Sequence, residues 1–441
     1  MMKRSRLPLT LMALAALGAC NTFKPTKRST PTLGERMPIL VSEAGALPDK
    51  TIADVEVLLP SAAVNDSWVQ PGGDAAKSMG HLALAPEIKR LWTARVRGGN
   101  ERERLGAPPV VADNKLFVVD TQATIHAFAA DTGRKLWSTP VAEGKKNRES
   151  RFGGGVSYDD GKLFASDGLG DLVALNAADG KIVWRVKPGG PLRGAPTVAN
   201  GAVYVLSQDN QFYAVSQTTG ETLWTQLGTL ESQGVFGVGA PAAGRGTVVV
   251  GFSSGELNAY RYENGRVLWQ DQLSRTSITT SVSSLADIDA SPVIDNNRVY
   301  AVGAGGRAVA LELATGQRVW EQNIASISTP WLAGEWLFVM SDDGRLISLS
   351  RANGKVRWIT DLGAFKNARK RKGPPVYWSG PVLAGDRLVV VGSLGKIVMI
   401  SPKDGKVMTT IKGNVPYTFG PVVANNTLFV LDSKGKITAY R

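Results

Sequence analysis

The chain has 441 residues, 43% of them hydrophobic and 20% charged, with a formal net charge of +13, one cysteine and two histidines. A single cysteine excludes an intramolecular disulfide and any cysteine-based metal cluster within one chain. Forty-nine glycines and eleven tryptophans, with few apolar runs at helical period, describe a turn-rich all-β protein, and no basic repeat interleaved with aromatics is present to stack nucleic-acid bases.

The first twenty residues read as a leader. Lys3, Arg4 and Arg6 precede an apolar run from Leu7 to Leu17, which is followed by "LGAC" at 17–20. The run is too short to span a bilayer, which takes roughly 20 residues. The pattern resembles a bacterial lipobox, which implies a signal peptide at 1–19 and a lipidated Cys20 as the first mature residue. Asn21 stands where lipoproteins retained at the inner membrane carry Asp, so the resemblance implies the periplasmic face of the outer membrane. Two or more acyl chains, at about 0.8 kcal/mol per buried methylene, would make that anchoring stable. Cleavage leaves a net charge of +10, a basic surface suited to acidic partners or anionic lipid.

Residues 20–38 are polar and contain proline, and read as a tether. Residues 39–80 hold one apolar stretch, "VEVLLP" at 55–60, and an isolated Trp68 before "QPGG". They read as an extended segment.

From residue 82 to 441 the text repeats in two halves. The first half runs "APPVVADNKLFVVD" from 107, "GAPTVANGAVYVLS" from 194 and "FGPVVANNTLFVLD" from 419, among eight versions; the second half runs "FAADTGRKLW", "LNAADGKIVW" and so on. Each half places alternating apolar residues around a pair such as Asn-Gly, Asp-Asn or Thr-Gly, the signature of two strands joined by a tight turn. Each unit is therefore a four-stranded meander. Trp92, Trp137, Trp184, Trp224, Trp269, Trp320 and Trp358 end the second halves, with Met408 in the eighth, at spacings of 38 to 51 residues. That period predicts a β-propeller in which these tryptophans fill space between blades.

The last unit stops after its third strand at "KITAYR" (436–441), while "EIKRLWTARV" (87–96) is a Trp strand with no first half before it. Joined, they complete one blade. The predicted fold is an all-β, eight-bladed propeller closed by an N-terminal strand joining the C-terminal blade.

The alternation resembles the PQQ-like repeat, which two families share. One is the PQQ-dependent quinoprotein alcohol dehydrogenases, whose cofactor sits over Ca²⁺ and commonly under a vicinal Cys-Cys disulfide; here no cysteine follows position 20. The other is the BamB lipoproteins of the outer-membrane protein assembly machine, and the lipobox and the eight compact units favour it. That resemblance implies a scaffold without enzymatic activity or cofactor. It also implies BamA, through its POTRA domains, and the other BAM complex subunits as partners, and leaves unfolded outer-membrane proteins open as a further ligand. The family's Asp-x-Asp contact motif matches Asp287 and Asp289 in "SLADIDASPV", where the pair would grip a basic side chain of the partner. A second contact, Leu-x-Leu-Arg, aligns with "QGVFGVGAP", so Val235 and Phe236 stand where Leu and Arg would be.

Propeller topology puts the connections between blades on one face, and here they hold the long variable text, so binding is expected on that face. One of them carries "KNARKRK", in which Lys366, Arg369, Lys370, Arg371 and Lys372 form a basic contact loop or a solvated turn. Asp120, Asp167 and Asp342 fall in turns between second and third strands, as local turn chemistry allows. His81 and His126 occupy equivalent positions on different blades, which argues against a metal pair, and no nucleophile, zinc or phosphate-loop motif is present.

Overall fold

The computed structural model describes residues 45–144, 147–230, 239–273, 287–367 and 372–441. Cys20, Val235, Phe236, Arg369, Lys370 and Arg371, together with the leader and tether, lie outside the described residues.

Eight antiparallel four-stranded sheets form the blades of a propeller. In chain order, blades 1 to 7 occupy 110–140, 156–186, 192–227, 242–272, 293–322, 331–361 and 378–412, and blade 8 combines 422–440 with 90–95. Strands are called A to D from the first of each blade to the last. Burial falls from A to D: in blade 1, Val110–Ala112 is buried throughout, whereas Lys135–Pro140 is almost wholly exposed. The inner strands face neighbouring blades on both sides and read as continuous apolar runs, while the outer strand faces water.

The A–B turns of six blades place two consecutive residues at positive φ, as at Asp113–Asn114, Asn200–Gly201 and Asn425–Asn426. That backbone matches the right-handed twist of a hairpin, and Asn, Asp and Gly tolerate it best.

Ring closure follows from Arg90–Arg95 pairing antiparallel with Lys436–Tyr440, with Trp92 opposite Ala439. Lys89 and Arg441 exchange both backbone hydrogen bonds, at 2.8 and 2.9 Å. Each of the seven repeat tryptophans then donates its indole N–H to a backbone carbonyl just before the C–D turn of the next blade. The acceptors are Ala130, Ala177, Gln217, Tyr262, Leu313, Arg351 and Pro402, at 2.7 to 3.3 Å. The eighth position explains itself: the blade after Met408 has no covalent C–D turn, because that corner is the gap between Arg441 and Lys89. Met408 has nothing to cover and is 55% exposed.

The N-terminal segment forms a plug across the end of the channel that carries the A–B turns. Residues 65–82 visit seven blades at equivalent places around their A strands. Trp68 and Val111 exchange backbone hydrogen bonds at 2.7 and 2.8 Å, and Tyr158, Ala243 and Ile294 donate backbone N–H groups to Val69, Ala75 and Ala76, each at 2.8 Å. The Gln70 amide brackets Val198, donating to its carbonyl and accepting from its N–H. Leu82 takes Leu383 O and Gly385 N, and Asn65 takes Val423 O and Asn425 N. The inner strand of a propeller blade is an open edge, and here the chain's own backbone satisfies it. Blade 6 is held by a side chain instead, with Trp331 Nε1 donating to Gly80 O at 2.8 Å. This layer continues to Ala85 and Pro86, whose carbonyls accept from Arg387. It therefore runs past residue 80, and the first blade strand begins only at Arg90.

Candidate functional site

The Asp-x-Asp segment lies where blades 3, 4 and 5 meet. Ile288 is buried, donates its N–H to Phe252 O at 3.2 Å and packs on Gly251, both of blade 4. Asp287 O accepts from Ala304 N of blade 5 at 3.0 Å. Its carboxylate meets Arg193 of blade 3, with Nη2 to Oδ2 at 3.3 Å, and the same Nη2 lies 4.0 Å from Asp289 Oδ1. The side chains of Asp287, Asp289 and Arg193 are 2, 5 and 7% exposed. The structure thus differs from the expectation of two carboxylates standing free to grip a partner: both are buried, and the cation that faces them comes from the same chain. The reason is the inward turn of the segment at Ile288, which seats the flanking carboxylates between blades.

Electrostatics follow from that burial. The Asp289 carboxyl is raised well above the usual carboxylate range by desolvation and then by the Asp287 charge, with Arg193 opposing. Nearby Asp342 is pushed up to about 6, by burial first and by Asp343 second, against the N–H it accepts from Ile327. Asp342 therefore serves an interblade segment, whereas Asp120 and Asp167 each accept two backbone N–H groups within their own B–C turns. Asp289 thus feels two other carboxylates, Asp287 and Asp342, against the one Arg193 guanidinium.

Between this cluster and the plug lies a cavity of about 620 Å³. Its floor is made by Trp68, Pro71, Gly72 and Lys77 of the plug, and its walls by the starts of A strands, such as Ala107–Pro108 and Gly380–Pro381. Asp289 stands in the wall. Trp68 and Trp331 stack with centroids 6.0 Å apart and planes 13° from parallel. Lys77 is fully buried, its Nζ 3.3 Å from Thr197 Oγ1, and desolvation pushes it down to about 7 against the attraction of Asp74.

The remaining candidates lie apart. Lys366 and Lys372 are exposed on a small hairpin, Phe365–Asn367 paired with Lys372–Pro375, between blades 6 and 7. His126 Nε2 meets Asp120 Oδ2 at 2.8 Å, while His81 bonds to Pro60 O and the Asp386 N–H. Among the described residues no group of three or more His, Cys, Asp or Glu is arranged to hold a metal ion. Nothing in the sequence marks Arg193, which is 94 residues from Asp287. Lys77 could have been singled out as a lysine amid small residues in "GGDAAKSMG".

The family model described as outer membrane protein assembly factor BamB matches residues 79–147 and 123–360. The assembly factor BamB of Yersinia pestis is 26% identical over 301 residues, covering 67% of this chain and 76% of that protein. The crystal structure of BamB from Moraxella catarrhalis is similar with a TM-score of 0.67 at 17% identity, over 80% of this chain and 100% of that one. The quinohemoprotein alcohol dehydrogenase of Comamonas testosteroni is similar with a TM-score of 0.65 at 14% identity, over 86% and 81%. Those two likenesses concern the fold.

Proposed function

The chain belongs to the outer membrane protein assembly factor BamB family, and from that premise we propose that it is a non-enzymatic scaffold subunit of the outer-membrane β-barrel assembly complex. It is held at the periplasmic face by lipid on Cys20, and it binds the POTRA domains of BamA. The observation that carries this reading is the extent of the family match, 79–360, which includes the three-blade junction built on Asp287.

The partner contact is made on the face of the interblade segments. Asp287 acts there through Arg193: the pair fixes the end of the segment that leads into blade 5, so that the segment meets the partner in one shape. The basic hairpin bearing Lys366 and Lys372 lies between blades 6 and 7 and belongs to the same face. A buried ion pair is better suited to setting a shape than to gripping a partner, because its charges are already compensated and desolvated.

The test is co-purification of BamA and its complex from detergent-solubilised membranes by the tagged full chain, compared with its Asp287→Ala variant. Recovery of the complex by the parent and at least a tenfold loss in the variant, with an unchanged fold by circular dichroism, supports the reading. Absence of the complex from the parent eluate overturns it. The non-enzymatic part fails if added PQQ and Ca²⁺ give alcohol oxidation by the purified chain.

A further inference from the structure

The cavity above the plug has a floor, a wall and two polar groups left without a hydrogen bond. Neither oxygen of Asp289 accepts a hydrogen bond, although the side chain is 5% exposed, and the buried Trp68 Nε1 donates to nothing. Both residues line the same cup. Buried polar atoms are nearly always paired, so an unpaired acceptor and an unpaired donor around one cavity call for a ligand that supplies both complements.

We infer that the cup is a binding site for an extended polypeptide segment bearing one arginine or lysine, whose cationic group meets Asp289 and whose backbone lies along the inner strands above the plug. The inference does not rest on the assembly role.

Three observations carry it. First, the lower half of the same channel already holds polypeptide: residues 65–82 lie against the A strands of seven blades, chiefly through backbone hydrogen bonds. The wall is therefore made to receive a polypeptide backbone. Second, two carboxylates, Asp287 and Asp342, act on Asp289 against one cation, Arg193. A guanidinium or ammonium completes that balance. Third, Trp68 offers a donor at the floor, suited to a backbone carbonyl, beside the stacked face of Trp331. Lys77, Arg104 and Lys434 elsewhere in the lining outnumber its other carboxylate, Glu103, and disfavour a second cation, so the site selects a single basic residue among apolar ones. Burial holds the empty Asp289 carboxyl toward its protonated form, and a cation reverses this, so binding releases a proton.

The probe is the end-capped peptide Ac-Ala-Val-Arg-Val-Ala-NH2, titrated calorimetrically into the full-length chain in detergent, beside the same peptide with citrulline, a neutral isostere of arginine. The arginine peptide should bind at least tenfold more tightly, and the heat should vary with the ionisation enthalpy of the buffer as proton release requires. Asp289→Asn preserves the shape of the protonated acid. It should bring the arginine peptide down to the citrulline level, abolish the buffer dependence and leave the melting temperature at or above that of the parent. Equal affinity of the two peptides, an unaffected Asn variant, or no binding up to about 1 mM peptide overturns the inference. Competition by Ca²⁺ at the same residue overturns it in favour of a metal. None of these outcomes bears on whether the chain co-purifies with an assembly complex.

Discussion

The Trp92 ring of blade 8 covers Gly133 of blade 1 so closely that a Cβ added to the glycine would lie 2.5 Å from ring atom Cε3. The indole N–H of Trp92 meanwhile bonds Ala130 O at 3.0 Å. Blade follows blade through this contact seven times, and the Gly and Trp of the repeated second half are its written form.

The contact makes a graded prediction. Gly133 has φ +70°, where a side chain costs roughly 1–2 kcal/mol before any clash, so Gly133→Ala should destabilise the chain by more than that. Trp92→Ala removes a buried ring and should cost about 3–5 kcal/mol. Met408→Ala, at the corner with no turn to cover, should change stability by no more than about 0.5 kcal/mol. Urea denaturation of the three variants decides it, and a Met408 variant as damaged as the Trp92 one would refute the account of the eighth corner.

The plug makes a prediction that can be read residue by residue. Deleting 45–86 while keeping Arg90–Arg95 leaves the ring closed but removes the acceptors of eight backbone N–H groups, at Val111, Tyr158, Val198, Ala243, Ile294, Gly385, Asp386 and Asn425. Hydrogen exchange should speed up at those eight amides while the B and C strands keep their protection. Uniform loss of protection would mean instead that the plug is part of the global folding unit.

The blades were legible in the sequence because their information is local and repeated: a two-residue turn, an alternating strand, a tryptophan at a fixed offset. Closure was legible by counting, since an unmatched strand at 87–96 faced an incomplete unit at 441. The plug was not, because its contacts go to seven different strands and depend mostly on backbone groups, which any sequence supplies. Trp68, a tryptophan outside the repeated phrase, was the visible sign. Asp287 and Asp289 were found by motif, but their burial was not, since it depends on Ile288 turning inward and on Arg193 from a distant blade.

The pairing of Arg193 with Asp287 should appear as a coupling energy. Removing one partner of a buried pair leaves the other charge uncompensated and costs about 3–5 kcal/mol, so Arg193→Met should destabilise strongly. Combining it with Asp287→Asn should recover much of the loss, giving a double-mutant coupling above about 1 kcal/mol. Additive effects would show that the two side chains are held separately by their neighbours.

Lys77 gives the plug a pH dependence whose sign is fixed by burial. Its folded pKa is lowered from 10.5 to about 7 by desolvation, against Asp74. Between those values the unfolded chain binds more protons than the folded one, so stability rises with pH across the window. Below about 7 the folded protein carries a buried ammonium whose desolvation Asp74 offsets only in part, and it bears the full net penalty, each tenfold loss of proton affinity on folding costing about 1.4 kcal/mol. Lys77→Met keeps the length and apolar stem of the side chain and removes the charge. The variant should therefore be more stable than the parent by a few kcal/mol near pH 6, and the gap should narrow steadily toward about pH 10, where the parent lysine is neutral in the folded state and largely so in the unfolded one. Denaturation curves of both chains at a series of pH values measure the gap directly. A gap that stays constant with pH would show that Lys77 keeps its proton throughout, hydrated or paired, and that the plug buries no cost in charge.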